Sequence, residues 1–101
     1  MDVREMAEQF LPEAVAAAQD LSRLKGFSLK SLGGAVSCVK WAVKKAQSLS
    51  ELSNEEKQAF VVELVLRVVK LPFWLEPVAR AVLPHVVDVV VDALKDKFDG
   101  Q

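Results

Sequence analysis

An almost uninterrupted apolar stretch, residues 60–71, constrains the fold more than any other part of the chain. Its only charged residues are Glu63, Arg67 and Lys70, which are spaced by four and then three positions. This spacing places the three charges on one narrow stripe of a helix, whereas a half-buried strand would alternate at every second residue. A helix with so thin a polar stripe must be covered on most of its circumference.

The same helix has recognisable start and stop signals. Residues 53–56, Ser-Asn-Glu-Glu, fit a capping box in which Ser53 and Glu56 each bond the other's backbone N–H. Pro72 follows the apolar stretch, and the residue before a proline is pushed away from helical geometry. We therefore predict a helix that is capped by Ser53 and ends near Leu71.

A first helix is predicted over residues 2–25, with Gly26 as its terminator. Pro12 lies inside this segment, so we expect a break at residues 10–11, with Pro12 opening the main helix at its first position. The apolar face of that helix is expected to contain Val15, Ala18, Leu21 and Leu24.

Two further helices are predicted over residues 28–47 and 78–98. In the former, Gly33 and Gly34 cost helix stability, so either close packing compensates for them or the helix begins after the pair. In the latter, Pro84 either kinks the helix or restarts it.

These elements predict an all-α fold, a compact bundle of four to five helices that forms a single domain over residues 1–101. Apolar residues make up 51% of the chain and charged residues 27%, a balance that excludes both a disordered protein and a membrane-embedded one. The net charge of −1 makes nucleic acid an unexpected partner, since binders of nucleic acid usually carry a basic excess.

The location expected from the sequence is cytoplasmic or otherwise intracellular. The N-terminus has no apolar core of a secretory signal, and no stretch of 18 residues is free of charge. Cys38 is the only cysteine, and a lone cysteine is typical of a reducing compartment.

The sequence contains no convincing catalytic group. His85 has Asp88 one turn away but no nucleophile beside it, and a lone histidine with Asp88 and Asp92 supplies too few ligands for a metal. Cys38 lies between valines and is interpreted as a small buried apolar residue. We expect a protein that is not an enzyme, holds no cofactor or metal and has no evident small-molecule substrate.

The apolar excess between residues 60 and 94 favours an interaction or assembly role instead. A non-enzymatic subunit or adaptor, binding a protein partner or forming a homo-oligomer, is the leading hypothesis. Phe73 and Trp74 stand in a proline-bounded turn, where large apolar side chains tend to be superficial. The candidate interaction residues are Phe73, Trp74, Trp41, Leu66 and Val69.

The alternative function is peripheral lipid binding. In this hypothesis the Phe73–Trp74 turn enters a membrane surface, and Lys40, Lys44 and Lys45 contact anionic head groups. For the three lysines by themselves, an ordinary solvated helix face is the favoured interpretation.

Residues 55–57, Glu-Glu-Lys, open an apolar helix, and residues 82–88 read Val-Leu-Pro-His-Val-Val-Asp. This pattern over residues 55–92 resembles short helical structural or assembly proteins of large DNA viruses, in which an acidic-lysine helix start precedes a Leu-Pro-x-x-Ile-Asp segment. Here Val87 replaces the isoleucine, and a single lysine follows the acids. The resemblance implies an assembly role, including one in the virion, and no catalytic residues.

Overall fold

The computed structural model describes residues 2–99, with side chains as far as residue 94, and confirms an all-helical fold. Four helices pack compactly: α1 is Val3–Lys25, α2 is Leu32–Gln47, α3 is Asn54–Val68 and α4 is Glu76–Asp99. The connections are short, so consecutive helices run in opposite directions.

The helices do not close into a ring. α2 and α3 occupy the centre, α1 packs chiefly on α3, and α4 packs on α2 and α3. Within the described residues, α1 and α4 do not pack on each other. The backbone N–H of Lys70 donates to the carbonyl of Leu29 at 3.0 Å, which joins the α1–α2 connection to the α3–α4 connection. We call this end of the bundle, formed by residues 24–31 and 69–75, the apical end.

The capping box of α3 is confirmed. The backbone N–H of Glu56 donates to Ser53 Oγ at 3.2 Å, and the backbone N–H of Ser53 donates to Glu56 Oε1 at 3.0 Å. These two bonds satisfy donors that a helix N-terminus otherwise leaves open. The pKa of the Glu56 carboxyl is held below its ordinary value, because the bond that it accepts from the Ser53 backbone N–H, first, and its interaction with the Ser53 hydroxyl favour the charged form.

The predicted break at residues 10–11 is wrong, because α1 runs through Pro12 without interruption. A proline removes one helical hydrogen bond, here to the carbonyl of Glu8. Glu8 and Pro12 are both exposed, so a water molecule can donate a hydrogen bond to that carbonyl. On either side of the proline α1 buries small residues in the same core, among them Ala7 and Ala14, and this packing holds the helix in one piece.

α4 likewise continues through Pro84, so the alternative in which the helix restarts there is wrong. The proline is half-buried and faces α3. Its carbonyl accepts a hydrogen bond from Gln58 Nε2 at 3.3 Å, and the same amide donates to Asp88 Oδ1 at 3.0 Å. This contact fastens α3 to the middle of α4.

α2 begins at Leu32, directly before the glycine pair, and not at either of the two predicted positions. Ser31 is the N-cap, and its Oγ accepts from the backbone N–H of Gly34 at 3.0 Å. Ser28 instead forms a turn before the helix, where its carbonyl accepts from Ser31 Oγ at 2.9 Å. A Cβ atom on Gly34 would lie 1.9 Å from that carbonyl oxygen, so close packing does require the second glycine.

The core is assembled mainly from α2 and α3, and every buried residue in the described part of the chain is apolar or glycine. Phe60 is fully buried and meets Phe10 of α1 edge-to-face, with ring centroids 5.9 Å apart. As predicted, α3 is covered on most of its circumference. Its buried residues are Phe60, Val61, Val62, Leu64, Val65 and Val68.

Candidate functional site

The structure separates the five candidate interaction residues into two groups. Phe73 and Trp74 are exposed over 88% and 65% of their surfaces, as expected for a superficial turn. Trp41 and Leu66 are half-buried against the core, and Val69 is only 4% exposed. Phe73 and Trp74 alone are therefore freely available to a partner in this conformation.

Leu24, Val78 and Val89 are also exposed, and with them the exposed apolar residues form two separate surfaces that were not predicted from the sequence. Leu24 was assigned to the apolar face of α1 but is 83% exposed, so that assignment is wrong for this residue. Val78 and Val89 on α4 are 44% and 67% exposed. Leu24 belongs to the apical end, and the two valines belong to the side of the bundle.

The first surface is the α4 face, which we define as Val78, Val82, Val86 and Val89. These valines are spaced by four, four and three positions, so they form one stripe along the helix. Val82 and Val86 are half-buried, and Val86 packs against the core, while Val78 and Val89 are exposed. Beside the stripe lie three exposed polar side chains of α4, His85, Asp88 and Asp92.

The second surface is the apical surface, which we define as Leu24, Phe73 and Trp74 together with Lys25, Lys30 and Lys70. All three lysines are exposed, and none forms an ion pair within the described residues. The acids nearest to this end are already engaged. Asp20 Oδ1 lies 2.9 Å from Arg23, and Glu76 Oε1 lies 3.2 Å from Arg80.

The lysines predicted to assist lipid binding lie elsewhere. Lys45 Nζ is 2.9 Å from Glu13 Oε1 and 4.9 Å from the centre of the Phe10 ring, so it is held against α1. Lys40 and Lys44 are exposed, but α2 leads away from the apical end. At 1.5 Å per residue they stand about 12 Å and about 18 Å along the helix from Leu32.

A charge network links three helices across the side of the bundle. Glu63 of α3 is 16% exposed and lies 3.5 Å from Arg67 and 3.1 Å from Arg80. The carboxylates of Glu63, first, and Glu76 raise the pKa of Arg80 above its ordinary value. Arg67 Nε is 3.0 Å from Glu8 Oε1, but its N–H is not directed at that oxygen, so this contact is an ion pair without a hydrogen bond.

The potential catalytic residues are far from forming a site. Cys38 is buried, and desolvation raises the pKa of its thiol, which opposes formation of the reactive thiolate. His85 is exposed, and the Asp88 carboxylate near it accepts from Gln58 instead. Within residues 2–94 no three potential ligand side chains cluster as a metal site would require.

A groove of about 490 Å³ lies between the C-terminal half of α2, the start of α3 and α4. Valines form its floor, and its rim carries Glu55, Asp88, Asp92 and Lys57. A second cavity, of about 10 Å³, is lined only by apolar residues, Cys38 and Trp41 among them. Neither concavity combines a nucleophile with a base.

Comparison of the chain with protein-family models, with curated proteins and with solved structures gave no match. None of the helices, over the residues that the structure describes, is long and apolar enough to cross a membrane.

Proposed function

We propose that this chain is a non-enzymatic interaction protein that assembles with a protein partner through the α4 face, in the first instance with a second copy of itself. The main observation behind the proposal is that other helices pack on only one side of α4 within the described residues. α2 and α3 cover one side of this helix, and in the part of the chain that the structure describes α1 does not pack on it. The valine stripe beside that support is left partly open to solvent.

The form of the stripe suits a helical partner. Side chains spaced by four, four and three positions form a ridge that can enter the groove of a helix from another molecule. The flanking His85, Asp88 and Asp92 would form the polar rim that surrounds the apolar centre of most protein interfaces. The resemblance of residues 55–92 to viral assembly proteins is consistent with this role, and an intracellular location stays a prediction.

The proposal is tested by measuring mass in solution over a range of protein concentrations. The chain should show a mass that rises above the 11.1 kDa of the monomer with concentration. The double variant Val78→Ser/Val89→Ser should stay near 11.1 kDa, because it removes the most exposed apolar contact area of the valine stripe.

Val36→Ser is the matched control, since Val36 is also an exposed valine, 38% exposed, but lies on α2. It should associate like the parent chain. A monomer mass at every concentration, or equal loss of association in both variants, would refute assembly of copies through the α4 face.

A further inference from the structure

The apical surface combines apolar side chains from two distant parts of the chain. Leu24 comes from the last turn of α1, and Phe73 and Trp74 come from the α3–α4 connection. The Lys70–Leu29 hydrogen bond places the two connections side by side. Leu24 and Phe73 are the most exposed large apolar residues of the described chain, at 83% and 88%. Such exposure at one end of a small bundle marks a contact surface.

The charge at this end has one sign. Lys25, Lys30 and Lys70 are exposed, and the acids closest to them, Asp20 and Glu76, are paired with arginines. The opposite end of the bundle, where α2 ends and α3 begins, carries Glu51, Glu55 and Glu56 together with Lys44, Lys45 and Lys57. In a molecule with a net charge of −1, the apical end is distinguished by three lysines and no acid within residues 24–31 and 69–75.

This combination fits a lipid surface better than a protein surface. Lysine is depleted in protein interfaces, because its strongly hydrated ammonium resists burial. At a bilayer, tryptophan and phenylalanine enter the boundary between head groups and acyl chains, while lysines remain in water beside anionic phosphates. Pro72 precedes the aromatic pair and limits the backbone freedom that binding would have to freeze.

We infer that the apical surface docks peripherally on anionic membranes, with Leu24, Phe73 and Trp74 entering the head-group region and Lys25, Lys30 and Lys70 contacting lipid phosphates. In this orientation the helices stand away from the bilayer, and the α4 face stays free for a protein neighbour. The inference uses a different surface from the proposed assembly, so each can fail without the other.

Co-sedimentation of the full chain with vesicles tests this inference. One vesicle set is phosphatidylcholine alone, and the other contains 30% phosphatidylserine in phosphatidylcholine. We expect binding to the anionic set at low ionic strength, at least tenfold weaker binding to the neutral set, and a sharp decrease as salt screens the lysines. Equal binding to both sets, or no binding to either at low salt, would overturn the inference.

Charge-matched variants locate the contact. Lys30→Gln/Lys70→Gln should weaken anionic vesicle binding about tenfold or more, since each lysine near the surface contributes separately. Lys40→Gln/Lys44→Gln removes the same charge from α2 and should change binding less than twofold. An equal effect of the two pairs would show non-specific attraction and refute the apical assignment.

Apolar variants complete the test. Leu24→Ser/Trp74→Ser should also lower binding at least tenfold, and in the parent chain the Trp74 fluorescence, isolated by subtracting a Trp74→Phe variant, should shift to the blue with anionic vesicles. All of these positions are exposed, so their circular dichroism and melting temperature should match the parent. If Leu24→Ser/Trp74→Ser abolishes self-association instead and leaves vesicle binding intact, the apical surface contacts protein and the inference is wrong.

Discussion

Adjacent glycines at the start of α2 should respond in opposite directions to the same substitution. Gly33→Ala adds a methyl group whose nearest neighbour is Ser31 Oγ at 3.9 Å, an open position. Gly34→Ala adds the methyl group 1.9 Å from the carbonyl oxygen of Ser28. Side-chain Cβ atoms essentially never come closer than 3.0 Å to such an atom, so a displacement of about 1.1 Å is the minimum.

The cost follows from what the carbonyl of Ser28 holds. It accepts from Ser31 Oγ at 2.9 Å, and that hydroxyl oxygen caps α2 through the N–H of Gly34. Moving the carbonyl therefore strains the turn and disturbs the cap. Overpacking costs about 1–3 kcal/mol and a lost N-cap about 1 kcal/mol, offset by about 0.5–1 kcal/mol of helix propensity gained from alanine. We expect Gly34→Ala to destabilise the protein by about 2 kcal/mol.

Gly33→Ala gains the propensity without the collision and should stabilise the protein by about 0.5 kcal/mol. Urea unfolding followed by circular dichroism gives both free energies, and thermal unfolding checks them. For a domain of this size the loss of 2 kcal/mol lowers the melting temperature by about 10 °C. If Gly34→Ala proved as stable as Gly33→Ala, the close approach of Ser28 to Gly34 would be refuted.

Two further predictions concern side chains that can carry a charge and are buried or partly buried. Glu63→Gln should lower the free energy of unfolding by about 1–2 kcal/mol, because Arg67 and Arg80 lose the carboxylate that they share. Glu76→Gln, which removes one partner of an exposed ion pair, should lower it by less than about 0.5 kcal/mol. Equal losses for the two variants in urea unfolding would contradict this prediction. Cys38 should react with a disulfide reagent far more slowly in the native protein than in urea. Burial raises the pKa of this thiol in the native protein, so above a pH of about 8.5 the thiol ionises more readily in the unfolded state than in the native state. The free energy of unfolding should therefore decrease as the pH rises above about 8.5, and the Cys38→Ala variant should not show this decrease.

Local signals were sufficient where a segment's own residues decide its structure. The capping box at Ser53 and the spacing of Glu63, Arg67 and Lys70 predicted both the start of α3 and its deep burial, because these patterns follow from helical geometry alone. The prediction failed at Pro12, where the packing of α1 along α3 outweighs one lost hydrogen bond.

The surfaces were harder to predict because exposure depends on where each helix ends against its neighbours. Leu24 has the correct spacing for the apolar face of α1, but α1 has 23 residues and α3 only 15, and the last turn of α1 remains uncovered. Val69 and Phe73 look equally apolar in sequence. Val69 is the C-cap of α3 and is buried in the core, whereas Phe73 lies four residues later, in the α3–α4 connection, and is exposed.

The two outer helices of this bundle occupy equivalent places but have different compositions. α1 and α4 flank the central pair, and over the residues described each has a side that no other helix covers. On its uncovered side α1 has exposed polar residues such as Gln9, Glu13 and Gln19. α4 presents Val78 and Val89 instead, so it combines the composition of an interior helix with the position of an outer one. Burial of apolar area is the main favourable term in association. A second molecule that packs along α4 would bury these exposed valines.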